Sequence, residues 1–173
     1  QHLHPFPPRR PSDLRPVVVE AAGIAADHPL AAVLAGRSDV MQLTQASHDA
    51  ALKPEPPGGL SHAERAALAC RMARLNHEET LARHYEAMIP DSGGTQAIAD
   101  PAFDGADDQR TRAILRHTDL VTVDPKRAAE ADIAALKSAG ILEPDIVRLS
   151  ELIAFVGYQV RVVKGLRLMA EAA

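Results

Sequence analysis

Residues 57–79 read Pro57-Gly58-Gly59-Leu60-Ser61-His62-Ala63-Glu64-Arg65-Ala66-Ala67-Leu68-Ala69-Cys70-Arg71-Met72-Ala73-Arg74-Leu75-Asn76-His77-Glu78-Glu79. Ser61 followed three positions later by Glu64 is a capping box, in which two otherwise orphaned backbone donors are satisfied reciprocally. Leu68, Met72 and Leu75 then recur at helical spacing. Asn76-His77-Glu78-Glu79 repeats the cap-to-third-residue pattern, and Leu81, Tyr85 and Met88 form a second apolar stripe. The chain is therefore expected to break or bend near residue 76, with one capped helix leading into another.

Upstream of this pair, Pro54, Pro56, Pro57, Gly58 and Gly59 impose a loop. Before the loop, Pro29 to Leu34 reads as a short helix stopped at Gly36. Ser38 can cap a helix whose apolar positions are Val40, Leu43, Ala46, Ala50 and Leu52. Downstream, Asp91 to Gly105 reads as a polar loop and Asp107 to Leu120 as a helix with Ala113, Ile114 and Leu120 inward. A further helix is expected from Asp124-Pro125 through Lys137, ending at Gly140. The last helix opens near Pro144-Asp145; Leu149, Ile153, Val156, Val160 and Val163, spaced 4, 3, 4, 3, fit a central bundle seam. Only Val17 to Val19 has a strand-like character, so the expected class is all-α.

Residues 1–16 carry five prolines with Arg9 and Arg10 and read as an extended arm preceding a single domain over 17–173. Such an arm is a tail, a strap on a neighbouring subunit, or a peptide ligand for an aromatic groove. Of the 173 residues 46% are hydrophobic but only 3% aromatic, which suits helix packing and offers few surfaces for stacking bases. A formal charge of −4 without a basic block argues against a nucleic-acid partner. No apolar stretch has the length of a signal core or membrane span, so the cytoplasm is the expected location. Cys70 is the one cysteine. It can neither close a disulfide within the chain nor form a zinc-binding pair, and an intramolecular dithiol mechanism is excluded.

Three segments resemble the carboxymuconolactone decarboxylase and alkylhydroperoxidase D superfamily: Pro57 to Arg65, Ala73-Arg74-Leu75-Asn76, and the run from Ala131 through Gly140 and Asp145-Ile146 to Arg161, Gly165 and Leu166. The likeness spans roughly residues 20–170. It implies a bundle of six or seven helices around an antiparallel helical hairpin, assembled as a homotrimer or hexamer. In the peroxidase branch a Cys-x-x-Cys pair opens the second core helix, where the helix dipole favours thiolate. On that pattern Glu78 and Leu81 take the cysteine positions, the relay histidine falls near His84 or Tyr85, and the relay glutamate falls on Ala66. The decarboxylase branch, which also lacks the pair and follows Glu and Leu with a His, is the nearer relative.

The candidate site residues follow. His84 is placed to act as an acid or base, or else to bond a carbonyl or an interface; Glu78 is either a proton carrier or a helix-start residue complementing the dipole. Tyr158 and Arg161 are candidates for substrate binding, Arg161 by gripping a carboxylate or, alternatively, by pairing with an acid across an interface. His77 and His84 lie seven residues apart without further ligands at helical spacing, so no metal is expected. Cys70, amid alanines, reads as a packing residue, with a one-cysteine peroxidase as the lesser reading. No cofactor is called for. Two functions result: decarboxylase-like acid–base chemistry on a small carboxylate or lactone, or a non-catalytic member that binds a small molecule or scaffolds an oligomer.

Overall fold

The computed structural model describes residues 15–91 and 94–173, so the proline-rich arm lies outside the described residues except for Arg15 and Pro16. Among the described residues eight α-helices run in order: α1 Val17–Ala21, α2 Pro29–Ala35, α3 Ser38–Leu52, α4 His62–Leu75, α5 Glu79–Glu86, α6 Gln109–Val123, α7 Glu130–Ser138 and α8 Glu143–Glu171. Two 3-10 turns, Thr95–Ala99 and Pro125–Arg127, interrupt the connections. No strand occurs among the described residues, and Val17 to Val19 open a helix instead.

Helix α4 is the axis of the molecule. Ser61 and Glu64 make both bonds of the capping box, and every residue from Arg65 to Ala73 is buried. A helix buried on all sides must be flanked on all sides, and α4 packs against α5, α6, α8 and the Thr95–Ala99 turn. Ala66, Ala67, Ala69 and Ala73 keep that approach close. The two buried cations inside α4 are fully bonded, as burial demands. Arg65 donates to the carbonyls of Ala51, Pro57 and Leu60. Arg71 grips Asp119 with two bonds of 2.6 Å and donates to the carbonyls of Asp100, Pro101 and Phe103. Much of the irregular chain around α4 is thus tied to it.

The bend near residue 76 is present, by a different device from the second capping box. His77 adopts φ 55°, Glu78 N–H donates to Ala73 O and His77 N–H to Arg74 O, a Schellman ending of α4. Asn76 closes α4, its amide donating to Met72 O, and α5 begins at Glu79. Helix α8 supplies the expected seam, with Leu149, Ile153, Val156, Val160 and Val163 all buried. Gly59 holds its start: Asp145 accepts from Gly59 N–H at 2.8 Å, and a Cβ at Gly59 would collide with that carboxylate. The Gly59 N–H bond and the neighbouring Arg148 hold the Asp145 pKa below the usual carboxylate range.

Two further expectations are corrected. The single helix expected over 124–137 divides into the Pro125–Arg127 turn and α7, where Ala129 N–H is capped by Asp132. Helix α3 also docks a different face: Thr44, His48 and Leu52 are buried, whereas Leu43 is 68% exposed. That face wins because its polar groups find partners inside.

Candidate active site

Burying His48 on α3 brings it against His84 on α5. Their Nε2 atoms are 3.0 Å apart and the rings are tilted by 58°. On its other side His48 Nδ1 lies 3.1 Å from Asp49 Oδ1. Asp49 also accepts from Gln45 Nε2 at 3.0 Å, while Gln45 Oε1 receives Val17 N–H. The partners set the hydrogen positions. The Gln45 amide also approaches His48 Nδ1, at 3.4 Å, but the Asp49 carboxylate is nearer and can only accept, which assigns the His48 proton to Nδ1. In the neutral ring Nε2 is then bare and accepts from Nε2–H of His84. The Nδ1 of His84 has no partner among the described residues.

Tyr85 stacks on His48 at a centroid distance of 6.1 Å, and Phe155 meets His48 edge-on. This apolar, aromatic packing withdraws water. Burial, reinforced by the neighbouring His48 and Lys53, lowers the His84 pKa to about 4. His84 is thus neutral at physiological pH. It lines a cavity of about 270 Å³ together with Val17, Glu20, Ala21, Thr80 and Arg83.

The remaining candidates fall elsewhere. Glu78, 1% exposed, receives both terminal nitrogens of Arg167, at 2.8 and 3.1 Å, and Arg167 also donates to Ala21 O. Its carboxylate is committed to joining α5, α8 and α1. Tyr158 is on the His48 side of α8, its hydroxyl 3.3 Å from Thr44 Oγ1. Arg161 donates to Gly157 O of its own helix and borders a different cavity, of about 530 Å³. His84 and Arg161 do not line a common cavity; the arginine sharing one with His84 is Arg83.

At the positions matching the redox motif, Leu81 and Ala66 are core residues, and the Tyr85 hydroxyl donates to Gln159 Oε1. Tyr85 is fully buried, and burial raises its pKa. Cys70 is buried with its thiol donating to Ala82 O, and burial pushes its pKa up to about 11. A peroxidatic thiol needs the opposite shift. Among the described residues no group of three or more His, Cys, Asp and Glu side chains is arranged to hold a metal ion. No described helix is long and apolar enough to cross a membrane.

Sequence reasoning missed His48. The signal was the Thr44-His48-Leu52 spacing of four, which aligns two polar residues with a leucine on one helical face. Arg83 was missed because an exposed arginine beside a candidate histidine on one short helix looks like an ordinary solvated charge. Comparison of the chain with protein-family profiles, curated proteins and solved structures finds no match.

Proposed function

We propose that this chain performs acid–base chemistry on a small carboxylate or lactone, as in the decarboxylase-like branch of the superfamily it resembles, with His84 as the proton carrier. The observation that supports this most is the Asp49–His48–His84 chain of contacts, with a neutral, partly desolvated imidazole bordering a cavity. A base must be deprotonated at working pH and oriented by a second group. His84 meets both conditions. When its Nδ1 takes a proton from a carbon beside a carbonyl, the positive ring donates Nε2–H to His48, which Asp49 steadies in turn. In a decarboxylation the carbon–carboxylate bond breaks, carbon dioxide leaves without the electron pair, and the carbon takes back that proton together with one from water; in a lactone the carbanion instead expels the ring oxygen as a carboxylate, and the ring passes its proton to water.

Arg83 is the carboxylate grip in this reading. Its guanidinium makes no hydrogen bond or ion pair within the described residues, so its donors are free for a ligand. Glu20, across the same lining set, repels a second negative charge and favours substrates with one carboxylate. The test is a turnover screen over β-keto acids, muconolactone-type acids and simple lactones, comparing wild type with His84→Ala and Arg83→Ala. The expected result is wild-type turnover that falls at least about 100-fold in His84→Ala and shows a raised KM in Arg83→Ala. Equal turnover in wild type and His84→Ala eliminates the reading.

A non-catalytic, oligomer-forming role is favoured by a separate observation. Leu43, Val147, Tyr158 and Leu168 are between 44% and 68% exposed, more large apolar surface than helices α3 and α8 need alone. A homotrimer or hexamer would cover it. Light scattering on Leu43→Glu and Leu168→Glu variants distinguishes an assembly that dissociates from a chain that is monomeric throughout.

A further inference from the structure

The cavity of about 530 Å³ bordered by Arg161 shares no lining residue with the cavity at His84 and has a chemistry of its own. It is walled by α4, α6, α7 and α8 and the Pro125 turn, and Met72, Val121, Ile133 and Ile153 make its apolar part. Arg161 is the sole charged residue of the lining, and no carboxylate opposes it. Only one Arg161 nitrogen is engaged, by Gly157 O. In the same lining His117 is 6% exposed and its side chain makes no hydrogen bond among the described residues; Nδ1 is sealed from solvent without a partner, as is Oγ1 of Thr122. Buried polar atoms left unpaired are uncommon in stable folds and accumulate where something else binds. Burial lowers the His117 pKa.

We infer that this cavity binds an amphiphilic monoanion, its carboxylate on Arg161 and its hydrocarbon body against Met72, Val121, Ile133 and Ile153. The volume lies within the range of small-molecule sites, which are mostly apolar with few polar anchors. A single cation without a neighbouring acid selects an anion. The apolar wall selects against small hydrophilic acids such as acetate. The inference is independent of the His84 chemistry, since the two cavities share no lining residue.

Isothermal titration of the full chain with decanoate, kept below its micellar concentration, tests it, with decanol and acetate as comparison probes. Saturable decanoate binding is expected, with acetate silent and decanol weaker. Arg161→Gln, a change at an exposed residue, is expected to weaken decanoate about tenfold, the equivalent of about 1.4 kcal/mol. Ala154→Trp, which fills the mouth from an exposed helix position, is expected to abolish binding, and His84→Ala to leave it intact. Absence of decanoate binding at millimolar concentration overturns the inference, as does wild-type affinity in both Arg161→Gln and Ala154→Trp. Loss of binding in His84→Ala would assign the ligand to the other cavity and overturn it equally.

Discussion

Nε2 of His48 stands 3.0 Å from Nε2 of His84, so one ring must offer a lone pair to the N–H of the other, and double protonation would set two donors face to face. Burial, with His48 and Lys53 close by, makes the folded state resist charging His84, whose pKa falls to about 4. An unfolded histidine titrates near 6.5. Between those values the unfolded chain binds more protons than the folded one, so stability rises with pH and is fully present above about 6.5. It is lost as pH falls toward 4. With the ring partly exposed, the loss is about 1–2 kcal/mol. Urea unfolding at pH 7.0, 5.5 and 4.5 should show it, and His84→Asn should flatten the dependence.

The same protonation governs activity in the opposite experiment. If neutral His84 is the base, kcat/KM on a responsive carboxylate should rise through an apparent pKa near 4 and stay level above it. Replacing His48 with Asn should move the acid limb toward 6.5, because a coulombic cause of the shift disappears. An acid limb already at 6.5 in the wild type would show that a different group carries the proton.

Glu78 and Arg167 are unequal partners, with side-chain exposures of 2% and 38%. Removing the arginine strands a buried carboxylate, while removing the carboxylate leaves a guanidinium that can turn to water. Arg167→Met should thus cost about 3–5 kcal/mol and Glu78→Gln about 1–3 kcal/mol. Denaturant midpoints of the two variants and of the double variant check the asymmetry; equal single costs would contradict it.

His77 holds φ 55° at the end of α4, where a side chain costs energy that glycine does not. Its side chain makes no hydrogen bond among the described residues. His77→Gly should therefore be neutral or stabilising by up to about 1 kcal/mol, whereas the same replacement inside a helix destabilises. Thermal unfolding of the variant reads the sign.

Cys70 is predicted to be inert. With its thiol against Ala82 O and its pKa near 11, labelling by Ellman's reagent should wait on unfolding, and Cys70→Ala should bind and turn over ligands like wild type. Rapid stoichiometric labelling of the native chain would show an open path to the thiol.

Local signals carried most of the fold. The Ser61–Glu64 box, the Gly36 stop and the α8 seam each depend on neighbours within a turn or two, so periodicity and capping chemistry located them. The errors came from long-range competition. Asn76-His77-Glu78-Glu79 looks like a helix start, yet Asn76 donates to Met72 O and His77 takes φ 55°, so the segment ends α4 while Glu78 pairs with Arg167, 89 positions later. Helix α3 offers two half-apolar faces, and only the His84 and Tyr158 partners decide between them. His84 was a candidate through the family resemblance alone, and its pairing with His48 bridges 36 residues, so no spacing encodes it.

The central claim is that His84 is a neutral, Nε2-protonated base with a bare Nδ1, held by His48. Long-range nitrogen–proton NMR of the histidine rings across pH 3.5 to 8, with His84 assigned by its Asn variant, measures this directly. One tautomer, Nε2–H, and a midpoint near 4 are expected. A midpoint near 6.5, or a proton on Nδ1, would contradict it and remove the base from the proposed chemistry.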